Sequence, residues 1–272
     1  MEKGQTYYLS IQGKAAGRYT LVSSYAIGNV SGTTSPIKFI GEDSTFNKLI
    51  ETQCTLWTYD AREFVATLHL KDWASGGIEA TQFSLSGVSA DDYLVGISRP
   101  GYLTRYSHIT LNDDAIDLGH KSLLAGDVNN DGIIDAADRT IVMQLSGAIY
   151  GDTNYQVSAD LNGDKVIDQK DLNLLLPNLG KNANIYNENV NVITFNTSVD
   201  NYILTISGSA KPDSTVLCNV YYGGISLSDQ EIVCDADGNF NAAAILSKTG
   251  NYHIVVTAEN RAFDAVADIT CN

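Results

Sequence analysis

One carboxylate-rich pattern occurs twice in tandem, DVNNDGIIDAAD at residues 127–138 (loop 1) and DLNGDKVIDQKD at residues 160–171 (loop 2). Both loops carry Asp, Asn, Asp, Asp and Asp at positions 1, 3, 5, 9 and 12. Oxygens at this spacing, with a backbone carbonyl at position 7, can wrap a Ca²⁺ ion. The predicted ligands are Asp127, Asn129, Asp131, Ile133, Asp135 and Asp138 in loop 1, and Asp160, Asn162, Asp164, Val166, Asp168 and Asp171 in loop 2.

The alternative interpretation of these loops is a pair of surface turns, because Asp and Asn also close turns and cap helices. Turns alone do not explain why both copies keep one register, with Ile134 and Ile167 at position 8. The sequence therefore predicts two Ca²⁺ ions. Bound metal would also neutralise part of the net charge of −15, since the loops hold eight of the 32 acidic residues.

Each loop is followed by apolar residues at helical spacing, as in Leu172, Leu175 and Leu179 after loop 2. The segments before the loops, SLLAG and YQVSA, are too short for a full entering helix, and the last ligand is Asp rather than Glu. A duplicated loop and exiting helix of this kind resembles the dockerin module of cellulosome-type assemblies, over residues 125–181. The resemblance implies a Ca²⁺-dependent partner, the cohesin domain of a scaffoldin or cell-surface protein.

The two copies depart from each other at two positions. Lys165 occupies position 6 of loop 2, where the sharp turn favours a glycine such as Gly132 of loop 1. We therefore expect loop 2 to bind its ion more weakly. Arg139 stands where the second copy has Leu172, which predicts a less deeply packed first helix.

The resemblance also implies a partner surface, at loop positions 10 and 11 and about two turns along each helix. These residues are Ala136, Ala137, Met143 and Gln144 in the first copy, and Gln169, Lys170, Leu176 and Pro177 in the second. The two sets share no chemistry, and Pro177 shortens or bends the second helix. We expect one binding orientation to dominate, through the first helix, because Ala136, Ala137 and Met143 allow close apolar contact.

Composition narrows the range of partners and locations. A net charge of −15 and a pI near 4.4 disfavour nucleic acid and anionic membranes, which need clustered Lys and Arg. No apolar run is long enough for membrane insertion, and the segment EKGQTYYLSIQG after Met1 alternates like a strand rather than a signal peptide. Weak calcium sites rely on extracellular calcium, so we expect a secreted or cell-surface bacterial protein, here a piece of a longer chain or one without its export signal. The sequence does not decide whether two of Cys218, Cys234 and Cys271 form a disulfide or all stay free thiols.

The segments flanking the loops alternate apolar and polar residues and predict strands. Residues 1–40 resemble the closing hairpin of a pre-peptidase C-terminal domain plus a linker. Residues 41–123, with RPGYL at 99–103, resemble a carboxypeptidase-regulatory-like β-sandwich. Residues 182–272, with TISGSAKPDSTV and GNYHIVVTA, resemble a bacterial immunoglobulin-like domain after the polar linker NANIYNEN. The predicted fold class is thus multidomain and mainly β, with β-sandwich modules on either side of a small all-α domain at 124–181.

Nothing in the sequence predicts catalysis within this chain. The four histidines form no HExxH pattern, and the GxSxG elbow and the P-loop are missing as well. The acidic residues with definite spacing are assigned to metal. Two hypotheses follow. The first is a calcium-dependent docking module with β-modules as spacers. The second is a carbohydrate-binding or adhesive protein with structural calcium loops, using exposed aromatics such as Trp57, Trp73 or Tyr221 with Tyr222. A core position is the favoured interpretation of both Trp residues.

Overall fold

The computed structural model describes residues 27–36, 52–70, 81–112, 114–186 and 188–272. Over these ranges the chain forms four β-sheets, and two short α-helices lie between the first and second pair of sheets in sequence. The predicted fold class, β-sandwich modules on either side of a small helical module, is confirmed. The hairpin predicted within residues 1–26 and the side chain of Trp73 lie outside the described residues.

Within the described residues, seven strands precede loop 1 and form a sandwich of two sheets, with the orders β4-β1-β7 and β3-β2-β5-β6. Strand β1 is central in its sheet, because it pairs antiparallel with β4 and parallel with β7. The sandwich therefore includes residues upstream of position 41, where the sequence places its start. The strands are β1 (Ile27–Pro36), β2 (Thr52–Thr58), β3 (Phe64–Leu70), β4 (Thr81–Ser89), β5 (Asp91–Arg99), β6 (Tyr102–Leu111) and β7 (Ala115–Leu123).

The helical module contains α1 (Ala136–Gln144) and α2 (Gln169–Leu175), one after each loop. Position 9 of each loop, Asp135 or Asp168, is the N-cap of the helix, and the position-12 aspartate completes a capping box. The predicted ligands thus also start the helices. The second helix has seven residues against nine in the first, because the 3-10 turn Leu176–Asn178 with Pro177 follows it directly.

One hydrophobic core joins the first sandwich to the helical module. Its buried members run from Val30 in β1 to Leu175 in α2, and they include Ile134 and Ile167 from position 8 of the loops. The turn that leads into β6 forms part of this contact, since the Tyr102 hydroxyl donates to the Leu161 carbonyl at 2.6 Å. These two modules are therefore packed as one unit, which loop and helix patterns alone do not predict.

The C-terminal domain has a separate core between two sheets, with the orders β11-β10-β13-β14 and β12-β9-β8. The segment DADGNF forms a tight turn that leads from β11 in one sheet to β12 in the other, with Gly238 donating to the Asp235 carbonyl at 2.9 Å. All four cysteines of the chain are free and buried. The strands are β8 (Thr194–Asp200), β9 (Ile203–Ser209), β10 (Thr215–Tyr222), β11 (Ile225–Val233), β12 (Asn239–Ile245), β13 (Gly250–Ala258) and β14 (Ala265–Cys271).

The polar segment between the helical module and β8 is held against its neighbours. It contains the 3-10 turn Ala183–Tyr186. The Tyr186 hydroxyl donates to the Leu103 carbonyl at 3.0 Å and accepts from the Leu124 amide at 2.9 Å. Glu188 accepts from Arg105 at 2.7 Å and from Lys121 at 2.8 Å. This segment therefore packs along the first sandwich and fixes the position at which the C-terminal domain begins.

A small apolar cluster lies where the C-terminal domain meets the first sandwich. Leu94, Val190 and Ala262 are its buried members. Trp57 packs edge-on against Phe263, with ring centroids 5.4 Å apart. The Arg62 guanidinium donates to the carbonyls of Arg261 and Ala262. The C-terminal domain is thus docked through both apolar and hydrogen-bonded contacts.

Candidate functional site

Loop 1 orients its carboxylates with its own backbone N–H groups. Asp127 accepts from Gly132 at 3.2 Å, and Asp131 accepts from Ile133 at 3.0 Å. Asp138, at the end of the loop, accepts from the amides of Val128 at 2.7 Å, Asn129 at 3.1 Å and Asp135 at 2.8 Å. The first and last carboxylates of the pattern therefore both face the interior of the loop.

Loop 2 repeats this hydrogen-bond pattern at the equivalent positions. Asp160 accepts from Lys165 at 2.8 Å, and Asp164 accepts from Val166 at 3.1 Å. Asp171 accepts from Asn162 at 3.2 Å and from Asp168 at 2.8 Å. The shared register read from the sequence is thus a shared backbone conformation.

Burial disfavours the charged form of these carboxylates unless a cation lies beside them. Desolvation, together with Asp131 and Asp138, raises the pKa of Asp127 to about 7. Desolvation likewise raises the pKa of Asp171 to about 6, and it raises the pKa of Asp138 and of Asp160. The Asp127 Oδ1 atom is buried and has no hydrogen-bond partner. A buried carboxylate oxygen that no protein group satisfies is expected of a residue that ligates a metal ion.

The donor set suits a hard cation, although no three His, Cys, Asp or Glu side chains of the described ranges converge on one point as metal ligands. Each loop instead combines carboxylates with an amide oxygen and a backbone carbonyl, the mixture that Ca²⁺ accepts in flexible oxygen shells. The residues therefore fit Ca²⁺ better than Zn²⁺, which takes Cys and His. The assignment of each ligand stays a prediction.

Backbone strain is divided between the loops more evenly than the sequence predicts. Lys165 has a φ of 71°, so it does adopt the left-handed conformation that Gly132 adopts with a φ of 85°. At position 4 the roles are exchanged, since Asn130 has a φ of 59° and Gly163 a φ of 73°. Each loop thus has one glycine and one other residue in this region. The remaining difference is that the other residue is Lys165 in loop 2 and Asn130 in loop 1, and Asn tolerates the left-handed conformation better than Lys.

Loop 2 has two side-chain partners that the sequence analysis does not identify. The Tyr155 hydroxyl donates to Asp160 at 2.6 Å. The Lys170 ammonium donates to Asp164 at 2.6 Å and lies 3.8 Å from Asp168. The pKa of Asp164 is below its usual range, because hydrogen bonds from Lys170, Asn162 and the Val166 amide outweigh the effect of burial. Lys170, predicted as a partner contact, therefore contacts oxygens that are also predicted cation ligands.

The residues predicted to contact a partner are all exposed, as are Ile149 and Tyr150 nearby, which the sequence pattern does not single out. Leu179, which its helical spacing groups with Leu172 and Leu175, is exposed as well. Among them, Met143 is 52% exposed and Leu176 is 42% exposed. Arg139 is exposed where Leu172 is half-buried, in line with the weaker packing expected there. Exposure is required of a docking surface, and the assignment of these residues to a partner stays a prediction.

The aromatic residues of the carbohydrate-binding hypothesis are placed differently. Trp57 is packed in the contact between the first sandwich and the C-terminal domain. Tyr222 is half-buried against Tyr252, with ring centroids 5.0 Å apart. Tyr221 lies on the outer face of β10, 6.3 Å from the His253 ring.

In the described part of the chain no helix is long and apolar enough to cross a membrane.

The geometry defines a duplicated module in which each acidic loop is followed by a short helix. Residues 125–179 match the dockerin type I domain family, and this segment is a dockerin module. Two similar solved structures are cohesin–X–dockerin complexes from Acetivibrio cellulolyticus, with mutations at an N-terminal and a C-terminal interface. They are 25% and 24% identical, with a TM-score of 0.45, and each alignment covers 58% of this chain and 99% of the other. No curated protein matches the chain.

Proposed function

We propose that this chain anchors its polypeptide, in a calcium-dependent manner, to a cohesin domain of a scaffoldin or cell-surface protein. The observation that carries the proposal is the match of residues 125–179 to the dockerin type I domain, together with two loops of one hydrogen-bond pattern. The proposed setting is extracellular, within a cellulosome-like polysaccharide-degrading assembly. The β-modules then serve as spacers rather than catalysts.

The loop residues have two tasks in this proposal. When bound, Ca²⁺ neutralises the gathered carboxylates and fixes the loop oxygens. The N-cap residues Asp135 and Asp168 hold the first turns of α1 and α2 in place. Because these turns carry the predicted contact residues, an ordered loop presents an ordered surface. Calcium removal should therefore abolish cohesin binding without touching the contact residues.

Cohesin pull-down with and without a chelator tests the calcium dependence. A panel of cohesin types should contain one that retains the full chain with calcium and releases it with EDTA. Retention on insoluble polysaccharide but on no cohesin would favour the carbohydrate-binding alternative. Retention that survives the chelator would contradict the calcium requirement.

A matched pair of charge insertions tests the orientation. Ala136→Glu with Met143→Glu alters the first helix, and Gln169→Glu with Leu176→Glu alters the equivalent positions of the second. All four side chains are exposed, so neither pair should unfold the module. We expect the first pair to reduce cohesin affinity at least tenfold and the second to change it little. The opposite result would reverse the orientation. Lys170 is left unchanged because it contacts loop 2.

A further inference from the structure

Loop 1 faces a junction of all three modules. A cavity of about 200 Å³ separates the loop from the first sandwich and the C-terminal domain. An added Cβ at Gly132 would lie 3.4 Å from the Thr194 methyl group, so loop and domain are in van der Waals range. The lining includes Asp127, Asp131 and Gly132 of the loop, Tyr106 of β6, and Thr194 and Phe263 of the C-terminal domain.

A buried carboxylate oxygen without a partner belongs to this junction. Asp127 lines the cavity and is 1% exposed, and its Oδ1 atom lacks any hydrogen-bond donor. Leaving such an oxygen unmatched is costly in a site that water reaches poorly. A cation held by loop 1 would remove this cost. That ion would then lie behind side chains of a domain outside the dockerin module.

The loop backbone is also bonded to the segment that leads into the C-terminal domain. Ile134 donates to the Lys181 carbonyl at 2.8 Å and accepts from the Gly180 amide at 2.7 Å. Ile133, the predicted position-7 ligand, forms a β-bridge with Asn182. The Asn182 side chain then donates to the Ser209 hydroxyl in β9 at 2.9 Å. The loop conformation and the domain position are thus connected by backbone contacts and one side-chain hydrogen bond.

Loop 2 has different neighbours. Val166, at its position 7, bridges to Ile149 within the dockerin module. Leu161, next to its first ligand, accepts from Tyr102 of the first sandwich. Its carboxylates Asp160 and Asp164 accept from Tyr155 and Lys170. The equivalent loop therefore provides an internal control for any effect of the C-terminal domain.

We propose that the C-terminal domain is the lid of loop 1, so that docking of this domain and occupancy of loop 1 by Ca²⁺ stabilise each other. The inference rests on the proposed calcium binding and adds a coupling between two modules. Linkage makes such a coupling reciprocal: the docked domain raises the affinity of loop 1 for Ca²⁺, and the ion holds the domain in place. Because most differences in affinity lie in the dissociation rate, the docked domain should also slow release of the ion. Loop 2 is outside this coupling.

Calcium release measures the first direction. The calcium-loaded full chain is mixed with a fluorescent chelator in a stopped-flow instrument, and Asn129→Ala and Asn162→Ala assign the release phases to loop 1 and loop 2. Phe263→Ala, which removes the ring packed on Trp57, should accelerate the loop 1 phase roughly tenfold. The loop 2 phase should be unchanged. Ile269→Ala, which trims a half-buried residue of the C-terminal core, is the control and should leave both phases unchanged.

Hydrogen exchange measures the reverse direction without disturbing the interface. The Asn191 amide donates to Asn260 at 2.7 Å, and the Ala262 amide donates to Asn191 at 2.8 Å. Both should exchange roughly tenfold faster in Asn129→Ala, and neither should change in Asn162→Ala. The hydrogen-exchange measurement tests the proposed coupling even if Phe263→Ala fails to fold. Equal exchange in both variants, or unchanged release from folded Phe263→Ala, overturns the lid while leaving calcium binding intact. Absence of any calcium release phase overturns both proposals.

Discussion

The hydrogen bond between Tyr102 and Leu161 offers a direct test of the shared core. The Tyr102 side chain is 1% exposed, and its hydroxyl donates to the Leu161 carbonyl at 2.6 Å. Burial raises the pKa of Tyr102 well above its usual range, so the hydroxyl keeps its proton at any pH of interest. Tyr102→Phe removes one donor and leaves the ring in place.

The expected cost follows from the partner that is left behind. Leu161 is fully buried, so its carbonyl loses a donor that water does not replace. An unsatisfied buried acceptor costs about 1–3 kcal/mol. For a cooperative unit of this size, each kcal/mol lowers Tm by roughly 2–4 °C. We therefore expect Tyr102→Phe to lower the melting temperature of the first sandwich and the dockerin module together, by roughly 4–8 °C at 2 kcal/mol.

Calorimetry of the calcium-loaded full chain provides the measurement. Tyr252→Phe is the matched control, because the Tyr252 hydroxyl is also buried and donates to the Lys248 carbonyl at 2.8 Å, but in the separate C-terminal core. The control should lower only the transition of the C-terminal domain. If Tyr102→Phe shifted a sandwich transition while the dockerin module melted as in the wild type, the two modules would not share one cooperative core.

Three other outcomes are expected. Lys165→Gly should tighten calcium binding at loop 2 about two- to fivefold in a calorimetric titration, because glycine adopts the left-handed backbone conformation without steric strain. Asn130→Gly should change calcium binding at loop 1 less. Equal gains in affinity would show that the residue type at these positions is immaterial. Chelation of the full chain should lower the melting temperature of the unit that contains residues 125–179, and an unchanged value would argue against calcium as part of the fold. The pKa of Glu188 is lowered because hydrogen bonds from Lys121 and Arg105 outweigh its burial, so its stabilising effect is present above its ordinary value of 4.5 and is lost as pH falls through the lower folded value. Glu188→Gln should make the acid-side decline in Tm smaller, and a decline identical to that of the wild type would refute the assignment.

The sequence by itself determined the local features of this protein. Two loops of one spacing fix which carboxylates face inward, since their hydrogen bonds span at most ten residues. The N-caps Asp135 and Asp168 and the short second helix before Pro177 follow from the same local chemistry. Alternating apolar residues likewise predict strands, because a strand repeats every second residue.

Tertiary structure decided everything that depends on contacts between distant segments. The cavity between loop 1 and the residues Thr194 and Phe263 brings together residues more than sixty positions apart, and no spacing rule predicts it. The place of β1 at the centre of its sheet depends on pairing with β4 and β7. The hydrogen bond from Tyr102 to Leu161 likewise joins residues 59 positions apart. Local periodicity sets which face of an element is apolar, but only packing sets which other element covers that face.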